Sequence, residues 1–488
     1  VVLLAWPQQE RLDLAQPTEA KRLVNLLFFG RSGLDTPRCT SVSTHAAMRA
    51  HASEPLLKHA ARILDANWKD GFTIPTHKLY PFQWNWDSGF TSLGHSYIQL
   101  DQAIRELETL FSGQWDNGMV PHILFHSEHE DTYFPNHDVW GSQVHPGAPR
   151  PLKTSGITQP AVHGFVLERL LETNPDDERL IACAKRLFPK IVRSHRFFYT
   201  HRDPEREGLT FIFHPWESGR DNSPLWDASL DRIDIDPAML PAYERRDTSL
   251  APTDERPTSY QYDRYVYLML LGKKYRYDEA GIFEESPFLV QDTLMNAVLI
   301  RSNQSLIALG QRFGLDVGEV EEWQQQALPR FREKLWNPAL GTFTPYDVRG
   351  ACPIAHHEIG GLAALYAEIP SQLQAEGLHA YLRALHERGY YLCPSFDVDS
   401  PLFDAKRYWR GPVWPQMNWM IHFGLKAYGF LDTAQIVRED LVELVGALGF
   451  YEYFEPRKSV AAQLKAGYGG GDFSWTAACV LDLLHERG

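Results

Sequence analysis

The sequence predicts an all-α fold, a large closed array of helices whose long connections gather at one end. Three observations carry that reading. About a dozen segments place apolar residues three and four apart, the period of a helix with one buried face. Strands and helices do not alternate along the chain, as a parallel α/β sheet would require. No period of roughly 20–50 residues recurs, which sets aside a solenoid with recognisable repeats.

Taken in order, residues 1–50 read irregularly, with scattered Pro, Ser, Thr and Gly, and are expected to form an N-terminal extension wrapping a main domain of residues 51–488. Ser53-Glu54-Pro55 looks like a helix start, with Ser as cap and Pro in the first turn. Leu56, Leu57, Ala60, Ile63 and Leu64 follow at helical spacing, so a helix is expected over 53–68. A break at 71–87 precedes a helical run to about 111, and 112–156 is rich in Pro and Gly. Helical patterns then cover 159–172, 175–200, 259–271, 286–313, 317–335, 356–368, 371–388, 413–428, 432–448 and 474–486. Short strand-like pieces lie at 209–213 and 341–345.

Composition narrows the function. With 44% hydrophobic residues the 488-residue chain can bury a large core. A formal net charge of −14, without a useful basic run, opposes nucleic-acid binding. No apolar run approaches the roughly 18 residues of a membrane span, so no membrane partner is expected. Cys39, Cys183, Cys352, Cys393 and Cys479 are far apart and form no CxxC pair, which points to reduced thiols, a cytoplasmic location and no structural metal. Val1 to Trp6 is apolar but too short for a signal segment, and the absence of an initial Met leaves a removed leader open. Fourteen Trp, 21 Tyr and 26 Phe suit stacking on sugar rings, although a large helical core also uses aromatics.

Four connections place Trp and Tyr beside carboxylates. The first, Tyr80-Pro81-Phe82-Gln83-Trp84-Asn85-Trp86-Asp87, alternates rings and polar groups as an extended segment would, just before a helix. Asp87 is either a helix cap or an acceptor for a sugar hydroxyl. The second is His214-Pro215-Trp216-Glu217-Ser218-Gly219-Arg220-Asp221-Asn222-Ser223-Pro224, whose Pro, Gly and Asn-Ser-Pro are turn chemistry. The third is Arg407-Tyr408-Trp409-Arg410-Gly411-Pro412-Val413-Trp414-Pro415. The fourth is Phe450-Tyr451-Glu452-Tyr453-Phe454-Glu455, leading to Gly467-Tyr468-Gly469-Gly470-Gly471. That glycine run lacks the Gly-Lys-Ser/Thr ending of a phosphate loop and is expected to be a mobile or tightly turned rim loop. His356-His357-Glu358 is expected to begin a helix, with the two histidines on different faces and no shared metal.

Hydrolysis of a glycosidic bond needs two carboxyls, one protonated and one ionised. Asp221 beside Trp216 fits the acid, because dry aromatic surroundings raise a carboxyl pKa. Glu452, 231 residues further on and among four aromatic residues, leads for the base. Glu217 and Glu455 are the local competitors.

Trp84-Asn85-Trp86-Asp87, Trp216-Glu217-Ser218-Gly219-x-Asp221-Asn222-Ser223, Tyr408-Trp409-Arg410-Gly411-Pro412-x-Trp414-Pro415 and Phe473-Ser474-Trp475-Thr476-Ala477 resemble, in the same order, glycoside hydrolase family 63, and in particular its smaller single-domain members. The resemblance runs from about residue 50 to the C-terminus. It implies an (α/α)6 barrel, an inverting mechanism and no required cofactor. It implies Asp221 as general acid and Glu452 as general base. Tyr80, Trp84, Asn85, Trp86 and Asp87 would line the sugar subsite, with Gln159, Trp216, Gly219, Tyr408 and Trp409. Arg256 would face a substrate carboxylate, as an Arg fork can, and Tyr133 would share that pocket. The implied substrate is 2-O-α-mannosylglycerate or 2-O-α-glucosylglycerate, a small glycoside with a carboxylate aglycone. An α-glucosidase of the same family, a sugar epimerase on the same barrel and a non-catalytic sugar-binding protein are the rivals. Oligomeric state, a homo-oligomer included, is left open.

Overall fold

The computed structural model describes residues 41–77, 79–126, 133–236 and 239–486. Among them, six helices close a ring: α2 (Asn85–His95), α4 (His163–Thr173), α6 (Thr293–Phe313), α8 (Ile359–Ala363), α10 (Pro415–Ala427) and α12 (Ser474–His485). Each packs on the next, and α12 packs back on α2. Outside them lie α1 (Ser41–Asn67), α3 (Leu100–Ser112), α5 (Glu178–His201), α7 (Gly318–Lys334), α9 (Gln372–Glu387) and α11 (Leu431–Leu448). Outer helices cover the seams: α3 touches α2 and α5, α5 touches α4 and α6, and α11 touches α10 and α12. This is an (α/α)6 barrel.

The division into rings follows from side chains. Outer helices α3 and α5 carry an apolar stripe and a charged outer face, whereas every residue of α2 is buried. The ring interior is filled rather than open. Trp86 contacts Phe90, Phe90 meets Phe165 and Trp419, and Trp419 meets Tyr366 in a chain of edge and tilted aromatic contacts. Much of the aromatic content therefore serves the core. Among the described residues, no helix is long and apolar enough to cross a membrane.

The expected boundaries hold for most helices; the single run expected to end near 111 divides into α2 and α3, and the reading moves at four further places. α1 starts at Ser41, so Ser53 is not its cap and Pro55 lies inside it. Ala46, Ala47, Ala50 and Ala52 are strong helix formers and carry the helix upstream. The rest of the expected extension, residues 1–40, lies outside the described residues. The run expected over 286–313 divides: Val290–Gln291 pairs with Tyr346–Asp347, and α6 begins only after Asp292, whose carboxylate caps the Met295 N–H. His356 and His357 precede α8, because Glu358 caps it through the Gly360 and Gly361 N–H groups. The glycine run is a strand rather than a rim loop: Tyr468–Gly471 pairs antiparallel with Tyr451–Tyr453. Of the strand-like pieces, Thr342–Phe343 pairs with Trp336–Asn337, but 209–213 keeps only a single bridge, Ile212 to Val290.

Close helix contacts rest on small residues. At Gly94 of α2, an added Cβ would stand 2.6 Å from Leu64 Cδ1 of α1 and 2.7 Å from the Ala478 Cα of α12. Gly94→Ala should therefore lower the unfolding free energy by about 1–3 kcal/mol through overpacking. Denaturant melts of the two proteins check this, and an unchanged midpoint would contradict the packing.

Candidate active site

The connections entering five of the six inner helices, all but α8, together build one cavity of ≈ 130 Å³. Tyr80, Trp84, Trp86 and Asp87 come from the entry to α2, and Gln159 from the entry to α4. Trp216, Gly219, Asp221 and Arg256 come from the long connection between α5 and α6. Tyr408 precedes α10, and Glu452, Phe473 and Trp475 surround the start of α12. Tyr133 completes one wall.

The connection carrying Asp221 is anchored on both sides by buried arginines. Arg202 grips Glu217 with two hydrogen bonds of 2.9 and 3.0 Å and donates to Glu279 at 3.1 Å. Glu217 also accepts from the Phe213 N–H, so both its oxygens are occupied. Arg220 forks between Asp292 and Glu358, the caps of α6 and α8. All these groups are buried. Tyr265 Oη donates to the Asp221 carbonyl at 2.7 Å and Trp226 Nε1 to the Arg220 carbonyl at 2.7 Å. Gly219 has φ +67°, and a Cβ there would meet the Trp86 ring at 2.7 Å, so only glycine lets the turn sit against that indole.

Glu452 is held differently. Its Oε1 accepts from Tyr80 Oη at 3.1 Å and Tyr408 Oη at 3.2 Å, and its Oε2 from the Gly470 N–H at 3.1 Å. Arg256 Nη1 stands 3.9 Å from Oε2. Gly469, at φ +71°, would put a Cβ 2.2 Å from Oε2, so the glycine run lets the strand lie against the carboxylate.

These surroundings separate the acids. Burial pushes the Asp221 pKa up to about 7, against the opposing charge of Arg256 and with help from Glu452. Burial also raises Glu452, but Arg256, the Gly470 N–H and the two tyrosine hydroxyls all favour its ionised form. Asp87 is raised well above the usual range by burial and then by the charge of Glu452, so it too can present a proton to a ligand. The cavity thus offers a carboxylic acid that keeps its proton near neutrality and a carboxylate prepared for charge.

Two residues singled out in the sequence do not line the cavity. Asn85 is buried and donates to the Val120 carbonyl at 3.0 Å. Trp409 stacks on Trp414 at 3.8 Å and backs Trp86 at 6.3 Å. The alternating pattern is also not extended: strand Gln83–Trp84 ends at Trp84, and Asn85, Trp86 and Asp87 form the first turn of α2. Asp87 is neither the cap, which is Trp84, nor remote from the cavity. Glu455 is bound by Arg457 at 2.6 Å and Tyr468 Oη at 3.1 Å, away from the cavity. Arg256 is buried rather than a surface arginine. His122, Arg246, Asp247 and Tyr262 also line the cavity and carry no signal in the sequence. Arg246 and Asp247 read as an ordinary charged connection, and His122 as an isolated loop histidine.

The profile of the mannosylglycerate hydrolase MGH1-like glycoside hydrolase domain matches residues 80–476. The mannosylglycerate hydrolase of Thermus thermophilus is 42% identical over 423 residues, covering 86% of this chain and 99% of that protein. The chain belongs to glycoside hydrolase family 63. A crystal structure of the family 63 mannosylglycerate hydrolase from Thermus thermophilus, in complex with Tris and D-glycerate, superposes with a TM-score of 0.82 at 42% identity, covering 88% of this chain and 99% of that one. The glucosylglycerate hydrolase of Mycolicibacterium hassiacum is 32% identical, covering 88% of this chain and 97% of that protein. Among the described residues, no group of three or more His, Cys, Asp or Glu side chains is arranged to hold a metal ion.

The anchoring of the Asp221 connection has a measurable consequence. Arg220→Met would leave Asp292 and Glu358 buried without their cation and should cost about 3–5 kcal/mol of stability. Chemical denaturation of the variant reads this, and a loss below about 1 kcal/mol would contradict the clamp.

Proposed function

We propose that this enzyme hydrolyses 2-O-α-mannosylglycerate, 2-O-α-glucosylglycerate or both, with inversion, using Asp221 as general acid and Glu452 as general base. The observation that carries the reading is the pairing, in one cavity, of a carboxyl whose pKa is pushed to about 7 with a carboxylate held by Arg256, two tyrosines and a backbone N–H. Support for the substrate comes from the relatives, named for hydrolysis of these two glycerates.

In this reading Asp221 gives its proton to the glycosidic oxygen as the bond to the anomeric carbon breaks. Glu452 takes a proton from the water whose oxygen bonds to that carbon from the opposite face. The products are the hexose, in inverted configuration, and glycerate. Inversion requires the two carboxyls to stand roughly 6.5–9.5 Å apart, with the water between them and the sugar. Trp86, Trp84 and Tyr408 supply ring faces, and Asp87 and Gln159 polar contacts, for the hexose. An epimerase would need a pair of histidines facing the sugar, and among the described residues lining the cavity only His122 is a histidine.

Three outcomes are expected. Incubation with each glycerate, followed by NMR, should show the β-hexose first, and an initial α-hexose would reject inversion. Asp221→Asn and Glu452→Gln should each lower kcat by about 10²–10⁴-fold, the usual weight of general acid–base catalysis. The acid works protonated, so kcat/KM should fall as pH rises through about 7, where Asp221 loses its proton. The base works ionised, so a second fall is expected on the acidic side, where Glu452 gains one. An alkaline limb that persisted in Asp221→Asn would remove Asp221 from the role.

A further inference from the structure

Glu106, on outer helix α3, is fully buried and reaches across the seam to α2. Among the described residues no cation pairs with it, and neutral donors hold its carboxyl. Its Oε1 accepts from Gln83 Nε2 at 3.1 Å and from Ser88 Oγ. Its Oε2 accepts from Thr73 Oγ1 at 2.7 Å, and Thr73 Oγ1 lies 2.8 Å from His95 Nε2. Gln83 Nε2 also reaches Ser88 Oγ at 3.0 Å and the Glu106 carbonyl at 3.1 Å. Thr73, Gln83, Ser88 and His95 are all buried.

A buried carboxyl without a cation is costly to keep, and burial lifts this one to about 7 against its hydrogen bonds. It does not line the cavity, so the chemistry above does not use it. What it holds is both ends of one turn. Gln83 immediately precedes Trp84, Ser88 immediately follows Asp87, and Trp84, Trp86 and Asp87 line the cavity. No side chain caps the start of α2, and the other side-chain anchors act in the middle of the turn: Asn85 donates to the Val120 carbonyl, and Gln159 accepts from the Trp86 N–H at 3.2 Å. One oxygen, Oε1 of Glu106, therefore joins residues 83 and 88 across the segment that carries three cavity groups.

We propose that Glu106 is a positioning residue for the hexose subsite: by bracketing Gln83 and Ser88 it fixes where Trp84, Trp86 and Asp87 meet the sugar. The proposal rests on the glycosidase reading above. The bracket needs an acceptor at Oε1 rather than a charge. A glutamine with its oxygen there keeps both bonds, and its amide donates to Thr73 Oγ1, whose own proton then turns to His95 Nε2. Removal of the whole group lets the turn shift, and a displacement of about 1 Å at reacting groups costs up to about 10²-fold in rate.

The test compares Glu106→Ala, Glu106→Gln, Ser88→Ala and Thr73→Val. Calorimetry reads binding of D-mannose, D-glucose and D-glycerate, and steady-state kinetics read turnover of the two glycerate glycosides. In Glu106→Ala, the Kd of the preferred hexose should rise about tenfold and kcat should fall about 10–10²-fold, with the D-glycerate Kd within about twofold. Glu106→Gln should stay within about threefold of wild type in each quantity. Ser88→Ala, a milder change that opens one end of the bracket, should weaken the hexose about threefold. Thr73→Val removes a bond to the same carboxyl from outside the bracket, so it should lower the melting temperature yet leave hexose affinity within about twofold. Unchanged hexose affinity in Ser88→Ala or in folded Glu106→Ala would overturn the proposal. So would an equal weakening of hexose and glycerate, or a Thr73→Val defect as large as that of Ser88→Ala. A wild-type enzyme that bound hexose but turned over neither glycoside would instead overturn the functional reading, and the hexose affinities of the variants would still decide the bracket.

Discussion

The site depends first on Arg220. Its guanidinium joins Asp292 and Glu358, the carboxylates that cap two inner helices, and it sits beside Asp221 in the chain. Two carboxylates at helix N-termini satisfy orphan N–H groups and complement the helix dipole, but buried close together they repel. The arginine resolves that repulsion and ties the connection to the barrel in one contact. Arg202 does the same on the other side by taking Glu217 and Glu279. Asp221 is thus carried by a turn with little freedom to move, though regular secondary structure contributes almost nothing to it.

This arrangement explains how one cavity keeps two acids in different states. Burial alone would raise both. Asp221 feels the charge of Arg256 but has only its own backbone N–H as a hydrogen-bonding influence on its carboxylate, whereas Glu452 receives three hydrogen bonds from Tyr80, Tyr408 and Gly470. The donors are themselves fixed. Trp475 Nε1 donates to the Glu452 carbonyl, Trp414 Nε1 to the Tyr408 carbonyl, and Trp414 stacks on Tyr453 at 4.6 Å. Several tryptophans that look from the sequence like sugar platforms therefore act as the rigid backing that holds a carboxylate in place. Trp409 is the plain case: it belongs to a sugar-binding pattern but faces Trp414 rather than the cavity.

The helices were readable because their signal is local. The apolar period marks α5, α7, α9, α11 and α12 to within a few residues, and in the structure Ser371 closes a capping box at the start of α9. Three of the misplacements share one cause. At 286–292, at 356–358 and in the glycine run, long-range pairing or capping overrode what the local pattern favoured, as Val290 with Asp347 and Tyr468 with Tyr453 illustrate. Arg246, Asp247 and His122 stayed invisible because a charged or isolated polar residue in a connection looks the same whether it faces bulk water or a cavity.

By itself the sequence determined that the chain is helical, that its chemistry lies in the connections, and, through ordered aromatic–carboxylate stretches resembling a known family, which acids to consider. Those properties are written in neighbouring residues. Tertiary structure alone decided that Glu217 is a clamp while Asp221, four residues on, opens into the cavity. It also decided that Arg256 is buried against Glu452, 196 residues away, and that Arg246 stands unpaired at the rim. A carboxyl's pKa and an arginine's availability are set by whatever lies within a few ångströms, and in this barrel those neighbours come from opposite ends of the chain.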